Sequence, residues 1–267
     1  MAYGYPTLRL VSSAAAALAA ALVALPSAAL SAGTVSTARE LVVPILLYHR
    51  IDFLRPSLPP ITRRLTVDPG DFARQMSWLQ EHGFHTLTQE QLLEALSRDA
   101  ALPSRPILIT FDDGYRDVLG KASHVLMGLG FRATDYVISG RLSGEDSSFL
   151  TVPELRGLEQ RGIEIGSHTV THAPLAELGN AEALAQLVSS RRMLEEALGH
   201  AVPWLAYPYG SYDDRVVALA AQAGYRLAVT MRPGACQSSS RPLELERLEV
   251  LDSTGVDGLA ALLSRGC

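Results

Sequence analysis

Short apolar runs alternate with longer amphipathic segments from residue 41 to the end of the chain. Apolar runs of strand length occupy residues 41–49, 105–113, 132–139, 163–168, 204–210, 225–231 and 243–251. Apolar residues at helical spacing occupy residues 68–83, 88–96, 115–130, 151–162, 180–199, 213–224 and 255–266. Strands that alternate with helices indicate a parallel sheet. We therefore predict one α/β domain, with about seven strands in a (β/α) barrel or a barrel-like sheet.

The first residues follow a different pattern. Residues 10–33 are rich in Ala and Leu, follow Arg9, and end in small residues, which is typical of a secretory signal. We expect a signal peptide at 1–33, a linker at 34–41 and the working domain at 42–267. An uncleaved signal anchor stays open, because an apolar run of about 20 residues just spans a bilayer. In both cases the domain is expected to be exported: periplasmic, secreted or attached to the cell envelope.

Charge and cysteine content limit the partners of the domain. The formal net charge is −5 and no run of Lys and Arg is present, so neither nucleic acid nor anionic lipid is an expected partner. We expect membrane contact only through an uncleaved leader, and we expect a monomer. Export permits a disulfide between Cys236 and Cys267, and two unpaired thiols remain the alternative.

Polar residues with catalytic chemistry recur where the predicted strands end. His49, the pair Asp112–Asp113, His168 and the stretch 208–210 all occupy such ends. Ligands bind at the carboxyl ends of the strands in parallel α/β folds, so these residues are expected to meet at one site. We expect the segments 52–65 and 140–149 to border the same groove.

The stretch SHTVTH places His168 and His172 four residues apart. Two imidazoles and one carboxylate leave open positions on a cation, as in a hydrolytic Zn²⁺ site. A water activated by such a cation still needs a base. Adjacent residues at a strand end point in different directions, so one of Asp112 and Asp113 would bind the cation and the other would face the water. The alternatives are hydrogen-bonded loop histidines and an aspartate pair that caps the helix after Gly114.

The stretch AYPYG supplies a further candidate group. Pro208 and Gly210 predict a tight turn after a strand, which would aim the backbone N–H of Tyr209 at an oxyanion. Tyr209, Tyr212 and Trp204 are candidates for contact with a sugar ring. Ordinary turn chemistry with a packed aromatic side chain is the alternative.

The motifs TFDDGY, SHTVTH and YPYG occur in an order and spacing that resemble the polysaccharide deacetylase family, the NodB-homology domains of carbohydrate esterase family 4. The resemblance covers residues 42–252 and implies a distorted (β/α) barrel. It implies removal of N-acetyl groups from an extracytoplasmic N-acetylhexosamine polysaccharide. The implied cofactor is a divalent cation, Zn²⁺ first, with Co²⁺ or Ni²⁺ as alternatives. A small-substrate C–N amidohydrolase and a non-catalytic carbohydrate-binding protein are the competing hypotheses.

The resemblance also implies roles by position. Asp112 would be the general base, and the N–H of Tyr209 would hold the oxyanion. The cation ligands would be Asp113, His168 and His172. Separately from the resemblance, we predict that Pro208, Tyr209 and Tyr212 contact the substrate.

The chain departs from the family pattern in two places. Ala206 stands where the third motif often has an arginine, and we predict that Arg247 replaces it and positions Asp112 by a charged hydrogen bond. A surface position for Arg247 is the alternative.

No histidine follows His200, so the usual C-terminal acid is missing. The first predicted strand ends in Tyr48–His49 and resembles the Tyr-His strand with which poly-N-acetylglucosamine deacetylases begin. A closed barrel brings the first strand beside the last. We therefore predict that His49 is the acid. The alternative is a packed histidine that orients a loop.

Overall fold

The computed structural model describes Met1 and residues 38–264. Residues 2–33 of the predicted signal segment and Cys267 lie outside the described residues, so the signal segment and the disulfide stay predictions. Residues 40–41, at the end of the predicted linker, belong to a strand, Glu40–Val42. No helix within 38–264 is both long enough and apolar enough to cross a bilayer.

The elements alternate much as the sequence predicts. The strands are β1 (Glu40–Val42), β2 (Ile45–Tyr48), β3 (Arg50–Ile51), β4 (Thr66–Val67), β5 (His85–Thr86), β6 (Pro106–Asp113), β7 (Ala133–Val137), β8 (Ile163–Ser167), β9 (Trp204–Ala206), β10 (Leu227–Pro233), β11 (Cys236–Ser238) and β12 (Leu245–Glu249). The α-helices are α1 (Pro60–Arg64), α2 (Pro69–Glu81), α3 (Gln89–Arg98), α4 (Ser123–Leu129), α5 (Val152–Glu159), α6 (Asn180–Leu198), α7 (Asp214–Gln222) and α8 (Gly255–Leu263). A π-helical turn covers Val118–Ala122, and 3₁₀ turns cover Ser139–Arg141, Leu175–Glu177 and Pro208–Gly210.

Seven parallel strands close into a barrel. Their order is β2-β12-β10-β9-β8-β7-β6, and β6 pairs with β2 to complete the ring. Each of the seven predicted apolar runs overlaps one of these strands, so the predicted barrel of about seven strands is confirmed. Three short pairings lie outside the ring: β5 with the start of β6, β1 with β11, and β3 with β4.

Alternation along the strands determines which side chains enter the barrel. Leu108 of β6 and Leu245 of β12 belong to the inner apolar cluster, whereas Phe111 packs in the outer cluster against the helices. Successive strand residues point to opposite faces. Asp112 lies an even number of residues after Leu108, so it points into the barrel. Arg247 points inward for the same reason, because it lies two residues after Leu245. The two charged side chains therefore meet inside the barrel.

Two predicted elements differ from the observed ones. The predicted strand 204–210 ends at Ala206, because Pro208 lacks an N–H for the ladder and the chain turns there. The predicted helix 115–130 starts as the π-helical turn and becomes regular only at Ser123. Helix α1 was not predicted; its five residues include none that is buried, so it leaves no apolar periodicity.

Candidate active site

A cavity of about 230 Å³ opens at the carboxyl ends of the barrel strands. Its walls combine the predicted catalytic side chains with residues of the segment 52–65, as expected. The lining residues are His49, Ile61, Arg64, Leu65, Asp112, Asp113, His168, His172, Tyr209, Met231 and Glu249. Strand ends that are far apart in sequence thus meet at one place.

Asp113, His168 and His172 form a cluster of three ligand atoms within 4.8 Å of one another. Asp113 Oδ1 lies 3.6 Å from His168 Nε2 and 3.4 Å from His172 Nε2. This oxygen is buried and has no hydrogen-bond partner among the described residues. Burial, together with the charge of Asp112, raises the pKa of Asp113 to about 7. An unpaired carboxylate between two imidazoles fits a divalent cation.

The ring of His168 is held in the orientation that a cation ligand needs. Its Nδ1 lies 2.8 Å from the carbonyl oxygen of Ala206, which only accepts, so Nδ1 carries the proton and Nε2 faces Asp113. Burial lowers the pKa of His168 to about 3 and also lowers the pKa of His172. Both rings are therefore neutral at pH 7, as ligation requires.

Backbone conformation at the site is unusual. Four non-glycine residues have positive φ: Asp113 at 81°, Thr169 at 64°, His172 at 61° and Tyr209 at 58°. Each such residue costs about 1–3 kcal/mol, and the cost persists where surrounding structure enforces it. Three of the four line the cavity, so the strain coincides with the groups expected to bind cation and substrate.

Asp112 is paired separately from the cation ligands. Arg247 donates to both of its carboxylate oxygens, from Nη1 at 2.8 Å and from Nη2 at 2.7 Å. Its Nε donates to the carbonyl oxygen of Thr230 at 2.7 Å, which fixes the guanidinium plane. Burial alone would raise the pKa of Asp112, but the charge and the hydrogen bonds of Arg247 help to lower it to about 2. The surface alternative for Arg247 is wrong, because its side chain is 1% exposed.

His49 follows β2 and lines the cavity with Asp112. Its Nδ1 is buried and has no hydrogen-bond partner within the described part of the chain. Burial lowers the pKa of His49 to about 4, although the charge of Asp112 raises it in part. The resting imidazole is therefore neutral at pH 7, with one ring nitrogen uncommitted.

Of the three residues predicted to contact the substrate, only Tyr209 lines the cavity. Tyr209 is 65% exposed, and its ring centroid lies 4.3 Å from that of His172. Pro208 is buried and shapes the turn without lining the cavity. Tyr212 stacks on Tyr207 at 5.1 Å and is likewise absent from the lining. Trp204, the third candidate for contact with a sugar ring, packs in the inner cluster of the barrel, as the alternative of a packed aromatic side chain predicts.

A second cavity, of about 240 Å³, adjoins the first and was not predicted. The two share Ile61, Leu65, Asp113, His172 and Tyr209. The second adds Arg50, Thr62, Tyr115, Ile138, Arg141 and Phe149, two of them from the segment 140–149. Tyr115 and Asp113 both line this cavity, so its wall adjoins the candidate cation ligands. The tyrosine at the end of TFDDGY was the available signal for this wall.

Comparison with known proteins agrees with this geometry. The family model described as Polysaccharide deacetylase matches residues 99–228. YxkH of Bacillus subtilis (strain 168), assigned by name to the polysaccharide deacetylases, is 30% identical over 226 residues, which cover 85% of this chain and 77% of YxkH. Poly-beta-1,6-N-acetyl-D-glucosamine N-deacetylase of Staphylococcus aureus (strain MSSA476) is 22% identical over 71% of this chain and 69% of its own.

The solved structure of Streptococcus pyogenes deacetylase PplD in complex with acetate has the same fold. It is 27% identical, has a TM-score of 0.79, and covers 85% of this chain and 100% of its own. The similarity to YxkH extends over more than two thirds of both chains. The chain therefore belongs to the polysaccharide deacetylase family, whose members hydrolyse C–N amide bonds.

Proposed function

We propose that this protein is a cation-dependent N-deacetylase that acts outside the cytoplasm on a polymer of N-acetylhexosamine. One observation carries the proposal: a cavity that holds a His-His-Asp ligand set beside a second carboxylate with its own arginine. The ligand set would be Asp113, His168 and His172. Zn²⁺ is the first choice, and Co²⁺ or Ni²⁺ also suit two imidazoles and one carboxylate.

A divalent cation at this set would polarise the acetamide carbonyl and favour ionisation of a water. Asp112 would take the proton from the attacking water. It suits that role because it is ionised, and because the two hydrogen bonds from Arg247 fix its direction. The difference in pairing supports a division of labour, since Asp113 has an unpaired oxygen and Asp112 has none.

His49 would supply the proton that the departing amine requires. The resting ring is neutral, so it must gain a proton during the reaction. Negative charge that develops on the substrate would raise the pKa of His49 at that moment, because a nearby opposite charge favours the imidazolium. The proton removed by Asp112 would then reach the amine through His49. The backbone N–H of Tyr209 would donate to the developing oxyanion.

Substrate and location are inferred from the relatives and from the leader. A relative named a poly-beta-1,6-N-acetyl-D-glucosamine N-deacetylase supports an N-acetylglucosamine polymer as substrate. Acetate bound to PplD supports acetate as the product. We infer that residues 1–33 direct export and that residues 42–267 form the catalytic domain.

Acetate release tests the proposal. Cation-free protein should release no acetate from chito-oligosaccharides or from oligomers of β-1,6-linked N-acetylglucosamine, and added Zn²⁺ or Co²⁺ should restore release. The Asp113→Ala variant is the control, since cation should not restore its activity. Release that survives a chelator would refute cation dependence. Glycan binding with no acetate release from any glycan would support the carbohydrate-binding alternative.

A further inference from the structure

Four side chains form a continuous stack along the second cavity. The guanidinium carbon of Arg50 lies 4.7 Å from the centroid of the Tyr115 ring. The rings of Tyr115 and Phe149 stack at 5.0 Å with an interplanar angle of 21°. The guanidinium carbon of Arg141 lies 4.7 Å from the centroid of the Phe149 ring. We call this set, Arg50–Tyr115–Phe149–Arg141, the arginine–aromatic stack.

The stack is held at a fixed place beside the cation ligands. Tyr115 and Phe149 form an antiparallel backbone bridge. Next to it, the N–H of Leu150 donates to the carbonyl oxygen of Gly114 at 3.0 Å. These bonds tie the segment 140–149 to the end of β6, which also carries Asp113. The stack is therefore positioned relative to the reacting centre before any ligand arrives.

The two arginines of the stack differ in how many donors they have left. Arg50 is committed to Asp117, which accepts from its Nε and pairs with its Nη2, both at 2.9 Å. Arg141 has one ion pair among the described residues, 3.7 Å from Asp146, and both side chains are 49% exposed. No other side-chain hydrogen bond of Arg141 is found within 38–264. Arg141 nevertheless lines the second cavity together with Asp113 and His172, so its guanidinium lies in the same groove as the candidate cation ligands.

The exposed chemistry of this wall is that of guanidinium donors. The Phe149 ring lies against Arg141, stacks on Tyr115 and is 7% exposed, so it offers a sugar little open surface. A guanidinium held flat on an aromatic ring is pre-oriented, and its planar fork matches a carboxylate with two parallel hydrogen bonds. The long, half-exposed contact with Asp146 is the kind of pair that a better-placed carboxylate would replace at little cost.

We propose that the second cavity binds a carboxylate on the sugar next to the N-acetylhexosamine undergoing deacetylation, with Arg141 as the recognising residue. The substrate is then an acidic polysaccharide. This proposal rests on the proposed function, since it assigns a neighbouring sugar to the same groove. A lactyl ether and a uronic acid both present this carboxylate, and the experiment separates them.

Four oligosaccharides supply the test. One pair is an oligosaccharide of N-acetylglucosamine and N-acetylmuramic acid, with its lactyl carboxyl free or methyl-esterified. The other alternates N-acetylglucosamine with glucuronic acid, again free or methyl-esterified. For at least one pair, the cation-loaded enzyme should prefer the free acid in kcat/KM by about tenfold, mainly through KM, as one charged hydrogen-bonded contact implies. The pair that shows the preference identifies the acidic sugar.

Arg141→Ala should bring the acid-to-ester ratio close to one, and Arg141→Lys should keep part of it, because it retains the charge without the fork. Arg98→Ala is the matched control, since Arg98 is 73% exposed and lines neither cavity. Calorimetric binding of the same glycans to cation-free protein should show the same preference without turnover. Equal kcat/KM values for acid and ester in the wild type, or an unchanged preference for the acid in Arg141→Ala, would overturn the proposal.

Failure of the proposed function has a different signature. In that case no glycan releases acetate, including neutral chito-oligosaccharides, although cation is bound. The calorimetric comparison of acid with ester still decides whether the carboxylate site exists. Equal acetate release from acidic and esterified glycans would instead leave the deacetylase standing and remove the carboxylate site alone.

Discussion

Replacement of Arg247 by Met would test whether this arginine keeps the base ionised. The substitution removes a guanidinium that is 1% exposed and donates twice to Asp112. Loss of one partner from a buried ion pair destabilises a protein by about 3–5 kcal/mol. Burial would then act on Asp112 without the opposing charge of Arg247, so its pKa should rise from about 2 to above the ordinary value.

The kinetic consequence follows from the sign of that shift. A protonated Asp112 accepts no proton, so at pH values below the raised pKa kcat/KM should fall by about 10²-fold or more, the usual contribution of a general base. Activity should partly return as the pH rises, because Asp112 ionises again. The acidic limb of the pH profile should therefore move to higher pH in Arg247→Met.

Two measurements check this prediction: pH–rate profiles and unfolding in denaturant. Arg192→Met is the control, because its ion pair with Glu196 at 3.5 Å is more than two-thirds exposed and is worth under about 1 kcal/mol. The double variant Arg247→Met with Asp112→Asn should recover part of the lost stability, since no buried charge is left unpaired. An Arg247→Met enzyme with an unchanged acidic limb would refute the reasoning and require another group to hold Asp112.

Three further predictions concern the cation and the proton transfers. Asp112→Asn should keep its bound cation and lose nearly all turnover, whereas Asp113→Ala should lose the cation; the opposite result in metal analysis would mean that the roles of the two aspartates are reversed. In the cation-free protein the pKa of Asp113 is about 7, so protons should compete with the cation below that pH. Affinity for Co²⁺, measured by titration calorimetry, should thus fall by roughly tenfold per pH unit on the acidic side and stay level above it. His49→Ala should lower kcat with little change in bound cation, and an unchanged kcat would exclude His49 as the acid.

The fold and the candidate cation site could be predicted from the sequence for one physical reason. A strand of a parallel barrel is buried on both faces, so it reads as a continuous apolar run, and the polar residues at the end of the run lie at the mouth. Asp113 and His168 stand at such positions. Arg247 is different, because it lies within a strand, and only the closed ring shows that its side chain points inward.

The second cavity lay beyond this kind of inference. Its wall depends on the contact between Tyr115 and Phe149, and the latter lies in a segment without helical or strand periodicity. The direction of Trp204 was equally hidden, since a three-residue strand in a wholly buried run gives no sign of which side faces the barrel. Aromatic residues near a motif are therefore weaker predictors of substrate contact than polar residues that end strands.

Closure of the barrel also explains how the chain functions without an arginine at Ala206. This residue belongs to β9, where its small side chain lies in the inner cluster and its carbonyl oxygen holds His168. Arg247 enters the same interior from β12, which is joined to β6 through β2 alone. Two buried guanidinium groups beside one carboxylate would leave an unpaired positive charge, which a low-dielectric interior disfavours. The small side chain at 206 and the arginine at 247 are therefore linked. Arg247 supplies the positive charge to Asp112 from a different strand of the ring, and Ala206 adds no second charge.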